Sequence, residues 1–313
     1  MARYLAITGG VGGAKLALGL THLLSPDALA FAVNTGDDFE HLGLHVSPDL
    51  DTLMYTLSGL SNPETGWGRV NESWHFIDTL RTLGGEDWFN LGDRDLAVHV
   101  LRTQMLRAGE PLDAVTRHLH GTLGIAHAAF PMSNDRVATE VVTATGRLAF
   151  QHYFVRERCA PRVERIEFRG AVAARAQPDI LAWLGADDLA GVVICPSNPF
   201  LSVDPLLALP ELRAALASCR APVVAVSPIV GGEAIKGPTA KIMGELGLPL
   251  DAGAIARHYT GLIDGFIVDH CDAALVPRIA HDELAVIAAP SVMRTLDDRI
   301  NLAHTALDFL GTL

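Results

Sequence analysis

Two aspartates at the start of a predicted helix are the residues of this chain best suited to chemistry. Ser47 and Pro48 have the residue types of an N-cap and a first helical position, so Asp49 and Asp51 fall in the first turn. Asp49 in that turn also complements the helix dipole, which is the purely structural alternative. Carboxylates two residues apart do not share a helix face, and carboxylates near a phosphate recruit Mg²⁺. We therefore predict a metal or substrate role for at least one of them.

A glycine-rich run at residues 8–15, TGGVGGAK, separates the first predicted strand from the first predicted helix. Glycines there let backbone amides approach a phosphate, and the helix N-terminus adds a favourable dipole. The run lacks the Gly-Lys-Ser/Thr of a Walker A loop, and Lys15 stands where a dinucleotide fingerprint has its third glycine. It predicts a phosphate site built from Gly10, Gly12, Gly13 and Lys15, with a tight turn that binds nothing as the alternative.

Polar turns follow several other predicted strands. Because ligands of open α/β sheets bind at the carboxyl ends of the strands, we expect these turns to meet in one crevice. Each turn alone is also compatible with a structural role. The turns that follow predicted strands contain Asn34, Thr35, Asp37, Asp38, Ser197, Asn198, Ser227, Gly231 and Gly232, and the last of them leads to Lys236. A further polar turn, with Met132 and Ser133, precedes the predicted hairpin.

The segment LGDRD at residues 91–95 precedes a predicted amphipathic helix. The planar fork of Arg94 suits a carboxylate or a phosphate. The structural alternatives are a helix cap by Asp93 or Asp95 and a surface ion pair between Arg94 and its neighbours.

Hydrophobic periodicity predicts an α/β fold. Short apolar runs separated by helices are typical of a mostly parallel sheet with both faces covered. Residues 47–124 carry only helical spacing and are predicted to form an inserted, largely helical smaller lobe, which leaves residues 1–46 and 125–313 as the α/β core. Two further expectations are a hairpin over residues 139–154 with Thr145 and Gly146 as its turn, and one helix over residues 205–217.

Composition excludes several classes of protein. The chain has 313 residues and a formal charge of −12, which argues against a nucleic-acid-binding groove. No apolar window is long enough for a membrane span, and four cysteines without a CxxC pair argue against a zinc site. We expect a cytoplasmic protein, with a homodimer as the default assembly.

Taken together, these motifs resemble the 2-phospho-L-lactate transferase family of coenzyme F420 biosynthesis. The resemblance runs from about residue 3 to residue 275. The segments that carry it are TGGVGGAK, NTGDDFEHLGLHVSPDLDT, LGDRDLA, PMSNDRVAT, PSNPFLSV, SPIVGG and KGP.

The resemblance implies a Rossmann-like fold and a Mg²⁺-dependent transfer. A three-carbon phospho-acid (phospholactyl, phosphoenolpyruvyl or phosphoglyceryl) would pass from a guanosine diphosphate-linked donor to the terminal ribityl hydroxyl of the deazaflavin FO, releasing GMP and giving F420-0 or its analogue. Which acid the donor carries is left open by the sequence.

The resemblance also implies roles for individual residues. Asp49, Asp51 and Arg94 would be catalytic, with Asp49 and Asp51 as metal ligands. The acceptor would contact Asp51, Asn90, Asp93, Met132 and Ser133, although the family often has a basic residue where this chain has Asn90. The donor would contact Gly10, Gly12, Gly13, Lys15, Asn34, Thr35, Ser197, Asn198, Ser227, Gly231, Gly232 and Lys236.

Two other functions are compatible with a glycine-rich β-α-β start. One is a non-catalytic regulatory protein of a related fold that binds nucleotide sugars or dinucleotides. The other is an NAD-dependent oxidoreductase, which the missing third glycine disfavours. The aspartate pair in SPDLDT favours the enzyme, because a binding module does not need two carboxylates beside a phosphate.

Overall fold

A seven-stranded parallel sheet forms the centre of the protein. The structure is a computed structural model and describes residues 2–64, 66–235 and 237–313. The strands are β1 (Arg3–Thr8), β2 (Leu29–Val33), β3 (Phe39–His41), β4 (Leu44–Val46), β5 (Ala128–Pro131), β6 (Ala138–Thr143), β7 (Gly146–Ala149), β8 (Arg165–Arg169), β9 (Leu189–Ile194), β10 (Val223–Val226), β11 (Ile229–Val230), β12 (Glu233–Ala234), β13 (Gly265–Asp269) and β14 (Ala285–Ala289). The central sheet has the order β14-β13-β10-β9-β1-β2-β5, and every pairing in it is parallel, which confirms the predicted fold class.

Helices connect the strands and cover the sheet. The α-helices are α1 (Gly10–Thr21), α2 (Pro48–Leu57), α3 (His75–Thr82), α4 (Asp93–Arg107), α5 (Leu112–Thr122), α6 (Pro178–Leu184), α7 (Asp204–Leu207), α8 (Pro210–Ala217), α9 (Thr239–Glu245), α10 (Ala252–His258), α11 (Val276–Ile279) and α12 (Leu296–Leu310). Two π-helical turns (His152–Arg156 and Pro199–Val203) and a 3₁₀ helix (His270–Leu275) complete the described set.

The apolar strands are buried on both faces of the sheet. Leu5 and Ile7 belong to one hydrophobic cluster, and Ala6 between them belongs to the other. This alternation follows from the two-residue period of a strand. It explains why these strands are continuous apolar runs rather than alternating ones.

The helical segment after β4 is joined to the core through α2. Leu50 and Leu53 of α2 belong to the same hydrophobic cluster as Leu16 and Leu20 of α1. Val115 of α5 belongs instead to a smaller cluster formed with parts of α2 and α4. The boundary predicted at residue 47 therefore falls within a continuous hydrophobic core. That residues 47–124 form a separate lobe stays a prediction.

The predicted hairpin is present as β6 and β7, but several local details were wrong. Thr143 pairs with Gly146, so Ala144 and Thr145 form the hairpin loop, and the chain after β7 turns into a π-helical turn instead of continuing as a strand. The predicted helix over residues 205–217 is divided into α7 and α8, because Pro210 starts a new helix. The strands β3, β4 and β5 were not predicted, since each has only three or four residues.

Gly19 of α1 lies directly against the backbone of α12. A Cβ at this position would collide with the Arg299 carbonyl oxygen, a backbone atom that cannot turn aside. We expect Gly19→Ala to lower the free energy of unfolding by about 1–3 kcal/mol, as overpacking does. Gly244→Ala in α9 is the matched control: its Cβ would meet open space, so it should stabilise by about 0.5–1 kcal/mol. Urea unfolding of both variants measures the difference, and equal effects would contradict this packing.

Within the described residues, no helix combines the length and the apolar character needed to cross a membrane.

Candidate active site

A cleft of about 860 Å³ opens at the carboxyl ends of the central strands. It is lined by Gly9 after β1, by Pro196 after β9 and by Pro228 after β10. From β1 the chain proceeds to β2 on one side, while β9 lies on the other, so the order of strands reverses here. Open α/β sheets bind their ligands at such switch points, and the volume lies within the range of ligand sites.

The glycine run forms the first turn of α1 rather than a loop, with Gly9 as its N-cap. The Gly10 amide already donates to Asp49 Oδ1 at 2.7 Å. A Cβ at Gly12 would collide with the Pro196 carbonyl oxygen, so close packing against the turn after β9 requires glycine there. Gly10, Gly12 and Lys15 line the cleft, and Lys15 Nζ donates to the Met293 carbonyl oxygen at 2.9 Å.

Asp49 and Asp37 form a buried acidic pair that lines the cleft. Asn34 Nδ2 donates to Asp49 Oδ2 at 2.8 Å, so Asn34 acts through Asp49. Burial raises the pKa of Asp49 to about 6, against the opposing hydrogen bonds from Asn34 and Gly10. Burial, and next the charge of Asp49, raise the pKa of Asp37 well above its usual value. The charged forms of both carboxyl groups are thus disfavoured unless a cation lies beside them.

This acidic pair fits a divalent cation. Asp37 Oδ1 is buried without a hydrogen-bond partner, and both carboxylates line the cleft. Mg²⁺ binds through one or two carboxylates and takes its remaining ligands from water and substrate phosphates. A bound cation would also favour the charged forms of both carboxylates, against the burial that raises their pKa values.

Asp51 points to a different partner. The Arg102 guanidinium binds both Asp51 oxygens, with Nη1 at 3.0 Å from Oδ2, and only 2% of Arg102 is exposed. His99 Nδ1 lies 3.7 Å from Asp51 Oδ2, and His99 Nε2 lies 3.4 Å from Asp95 Oδ2. The Tyr55 hydroxyl donates to Asp95 Oδ1 at 2.5 Å. The Asp51 charge is therefore neutralised by the protein itself.

These neighbours affect one another's proton affinity. Burial alone would raise the pKa of Asp95, but hydrogen bonding and the charge of His99, with the Tyr55 hydroxyl, hold it below the usual value. Burial raises the pKa of Tyr55 well above its ordinary value, and the charges of Asp51 and Asp95 act in the same direction. Asp51, Asp95 and His99 also have the residue types of a metal site. The guanidinium of Arg102 already occupies that position, so the Asp37–Asp49 pair fits a cation better.

The segment LGDRD serves helix starts more than the cleft. Asp93 accepts hydrogen bonds from the Ser73 hydroxyl (2.6 Å) and the Phe76 amide (3.0 Å), which satisfies the N-terminus of α3. Arg94 is exposed on the first turn of α4, and neither residue is among those that line the cleft. Asn90 lines it.

The turn after β9 lines the cleft, and its side chains already accept hydrogen bonds from backbone amides. Ser197 Oγ accepts the Gly9 amide at 3.3 Å, and Asn198 Oδ1 accepts the amides of Phe200 and Leu201 at 3.0 and 3.2 Å. Asn198 Nδ2 is buried without a hydrogen-bond partner among the described residues. The turn therefore retains a donor on Asn198.

Several predicted contacts lie outside the lining. Met132 is fully buried in the core, and the Ser133 hydroxyl donates to the Arg175 carbonyl oxygen at 2.6 Å. The other predicted donor contacts that do not line the cleft, among the described residues, are Gly13, Asn34, Thr35, Ser227, Gly231 and Gly232. Lys236 lies outside the described residues, although the residues on either side of it line the cleft.

An aromatic wall completes the cleft. Phe150 and Phe154 stack with ring centroids 5.4 Å apart, and the Trp88 indole meets the His152 ring edge-on at 4.7 Å. The wall consists of Trp67, Trp88, Phe89, Phe150 and Phe154, which all line the cleft. Such a surface suits a flat, conjugated ring.

Sequence reasoning missed the partner of Asp51 and the partner of Asp49. Arg102 sits four residues after Val98 on the apolar side of α4, and an arginine at a core position of a helix was an available signal. Asp37 was noted in its turn but not selected, because nothing local tells which of two adjacent aspartates faces a cleft.

Comparison with known proteins identifies the family of the chain. The family model described as "2-phospho-L-lactate transferase CofD" matches residues 5–292. Two relatives, both named "Phosphoenolpyruvate transferase", come from Streptomyces griseus and Mycobacterium ulcerans. The first is 41% identical over 98% of each chain, and the second is 37% identical over 97% of this chain and 98% of its own.

A solved structure has a similar fold. It is a member of the UPF0052 family from Bacillus halodurans, with a TM-score of 0.61 and 14% identity, covering 98% of this chain and 99% of its own. At that identity it supports the architecture alone. The family match and the close relatives decide the assignment: the chain belongs to the CofD family of phospho-acid transferases, as its motifs predicted.

Proposed function

We propose that the protein transfers a phosphoenolpyruvyl unit from a guanosine diphosphate-linked donor to the terminal ribityl hydroxyl of the deazaflavin FO, with release of GMP. The observation that carries the proposal is that one cleft combines a helix N-terminus, a buried acidic pair and an aromatic wall. The choice of phosphoenolpyruvyl over phospholactyl or phosphoglyceryl follows the name of the relatives.

The donor's diphosphate suits the strand-end side of the cleft. Backbone amides at the start of α1 lack intrahelical partners, and Gly12 and Lys15 line the cleft beside them. The residues that would hold Mg²⁺ are Asp37 and Asp49, and a cation bound there supplies compensation for the negative charge of the diphosphate. The turn at Ser197 and Asn198 supports the nucleotide part from the β9 side.

The acceptor suits the aromatic wall, where its conjugated ring can stack. Asp51 accepts a hydrogen bond from the ribityl hydroxyl, and Arg102 keeps the Asp51 carboxylate in place. The hydroxyl oxygen forms a bond to the phosphorus that bears the three-carbon acid, the bond from that phosphorus to the GMP oxygen breaks, and GMP leaves with the electron pair. The hydroxyl proton is released to water as the new bond forms, because its transfer to Asp51 would leave the buried Arg102 without a counter-charge. Positioning and charge compensation supply most of the catalysis in such transfers.

The proposal is tested by GMP release. The protein is incubated with FO, Mg²⁺ and each of the enolpyruvyl, lactyl and glyceryl donors. We expect GMP release that requires FO and is fastest with the enolpyruvyl donor. GMP release without FO, or none with any donor, would contradict the proposed reaction, and a faster lactyl or glyceryl donor would correct the choice of acid.

A further inference from the structure

Arg158 presents a free guanidinium at the cleft. Its side chain is exposed and the residue lines the cleft. No hydrogen bond or ion pair joins its guanidinium to another residue in the described ranges. Its neighbour in sequence Arg156 has Nε 3.9 Å from Glu157 Oε1 and is not among the lining residues. An arginine without a protein partner at the edge of a substrate cleft is available to an anionic ligand.

The backbone that carries Arg158 is strained. Arg158 and Cys159 have φ values of 50° and 57°, and they follow directly on the π-helical turn His152–Arg156 and Glu157. Left-handed backbone at non-glycine residues costs about 1–3 kcal/mol each and persists only where the surroundings impose it. π-Helical turns are also frequent at functional sites.

The core holds this strained segment in place. The Cys159 amide donates to the Tyr153 carbonyl oxygen at 2.9 Å, and Lys241 Nζ donates to the Pro161 carbonyl oxygen at 3.0 Å. Glu245 Oε2 accepts the Val163 amide at 2.9 Å, and Lys241 and Glu245 pair at 2.6 Å. Two of these contacts, from Lys241 to Pro161 and from Val163 to Glu245, fix the residues after Arg158 against α9, so the backbone that carries Arg158 is held in place before any ligand binds.

The charge balance of the cleft indicates what Arg158 binds. Its lining includes the aspartates at positions 37, 49, 51, 87 and 95. Among the described lining residues, the lysine and arginine side chains are Lys15 and Arg158. A donor with a diphosphate and a carboxylate must find cationic partners in this acidic surrounding.

We propose that Arg158 binds an anionic group of the donor and thereby raises the affinity of the cleft for the donor. This inference rests on the proposed function. The anionic group is the carboxylate of the three-carbon acid or an oxygen of the diphosphate, and both have the planar or clustered oxygens that a guanidinium fork binds.

Arg158→Gly separates this role from a structural one. Glycine adopts a left-handed conformation without strain, so the Tm should stay the same or rise. Loss of a hydrogen bond to a charged group should raise the KM for the donor by roughly 10- to 100-fold. The KM for FO should change less than about threefold. Arg156→Gln is the matched control, because it removes the same charge from the same segment outside the lining.

Calorimetric titration with three probes identifies the anionic group. The probes are the lactyl donor, the same donor with its carboxylate replaced by a carboxamide, and GDP. If Arg158 binds the carboxylate, Arg158→Gly weakens only the first probe. If it binds the diphosphate, all three weaken together. Unchanged affinity for all three, or an equal loss in Arg156→Gln, would overturn the proposal. These titrations measure binding and need no turnover, so they can contradict the role of Arg158 without contradicting the proposed reaction, and the reverse.

Discussion

Asp51→Asn is expected to abolish turnover and to destabilise the protein by about 3–5 kcal/mol. The substitution leaves the Arg102 guanidinium buried beside a neutral amide, and an unpaired buried charge has a cost of that size. Arg102 is 2% exposed and binds both oxygens of Asp51, so solvent cannot replace the lost partner. Turnover is lost because the acceptor hydroxyl no longer meets a carboxylate.

The double variant Asp51→Asn/Arg102→Met distinguishes stability from catalysis. Replacing both members of a buried ion pair with uncharged groups is often neutral. We therefore expect the double variant to recover most of the unfolding free energy lost by Asp51→Asn, while its turnover stays at the background level. Urea unfolding and GMP release measure the two quantities. Near-normal turnover in Asp51→Asn would remove this residue from the site, and additive losses of stability would show that the pair is not coupled.

Asp37→Asn is expected to lower turnover by at least about 100-fold and to stabilise the metal-free protein at pH 8. The loss follows from removing one carboxylate of the proposed Mg²⁺ site, since a catalytic metal supplies several kcal/mol of charge stabilisation. The gain follows from removing a carboxylate whose charge is disfavoured first by burial and next by repulsion from Asp49. We expect the Tm at pH 8 to rise by about 2–4 °C, the shift that corresponds to about 1 kcal/mol in a domain of this size class.

The pH dependence of stability tests the same pair. Both pKa values are raised in the folded state, so the folded protein holds protons that the unfolded chain has released. Stability contributed by Asp49 therefore falls as pH rises from about 4 through 6, and the contribution of Asp37 falls as pH rises through its own raised pKa. Asp37→Asn should reduce this fall, and Mg²⁺ should stabilise the original protein but not the variant. Asp87→Asn is the control, because Asp87 lines the same cleft but pairs with Arg81 at 2.6 Å. An equal effect of both substitutions would contradict a specific Asp37–Asp49 site.

The sequence predicted the sheet well because its strands carry their own signal. β9 and β10 are buried on both faces, and such runs of branched apolar residues are recognisable without any neighbour. β5 was missed because four residues ending in Pro131 carry little signal. Two helices were predicted as one helix over residues 205–217, because the apolar spacing continues through the break at Pro210.

The candidate site was predictable only where its residues are close in sequence. The motif containing Asp49 and Asp51 identifies itself by residue type and position at a helix start. Arg102 lies 51 residues beyond Asp51, and Asp37 lies on another segment, so only the fold reveals which aspartate each one joins. Asp93 is an opposite case. Its residue type suits catalysis, but its carboxylate accepts a hydrogen bond from the Phe76 amide at the N-terminus of α3.

The mass of the deazaflavin product tests the central claim most directly. FO, Mg²⁺ and the enolpyruvyl donor are incubated with the protein, the deazaflavin is purified, and its mass is measured by mass spectrometry. Attack at the phosphorus bearing the acid predicts FO joined through one phosphate to the three-carbon acid, in amounts equal to the GMP released. Unchanged FO, or FO carrying the guanosine monophosphate unit, would contradict the account.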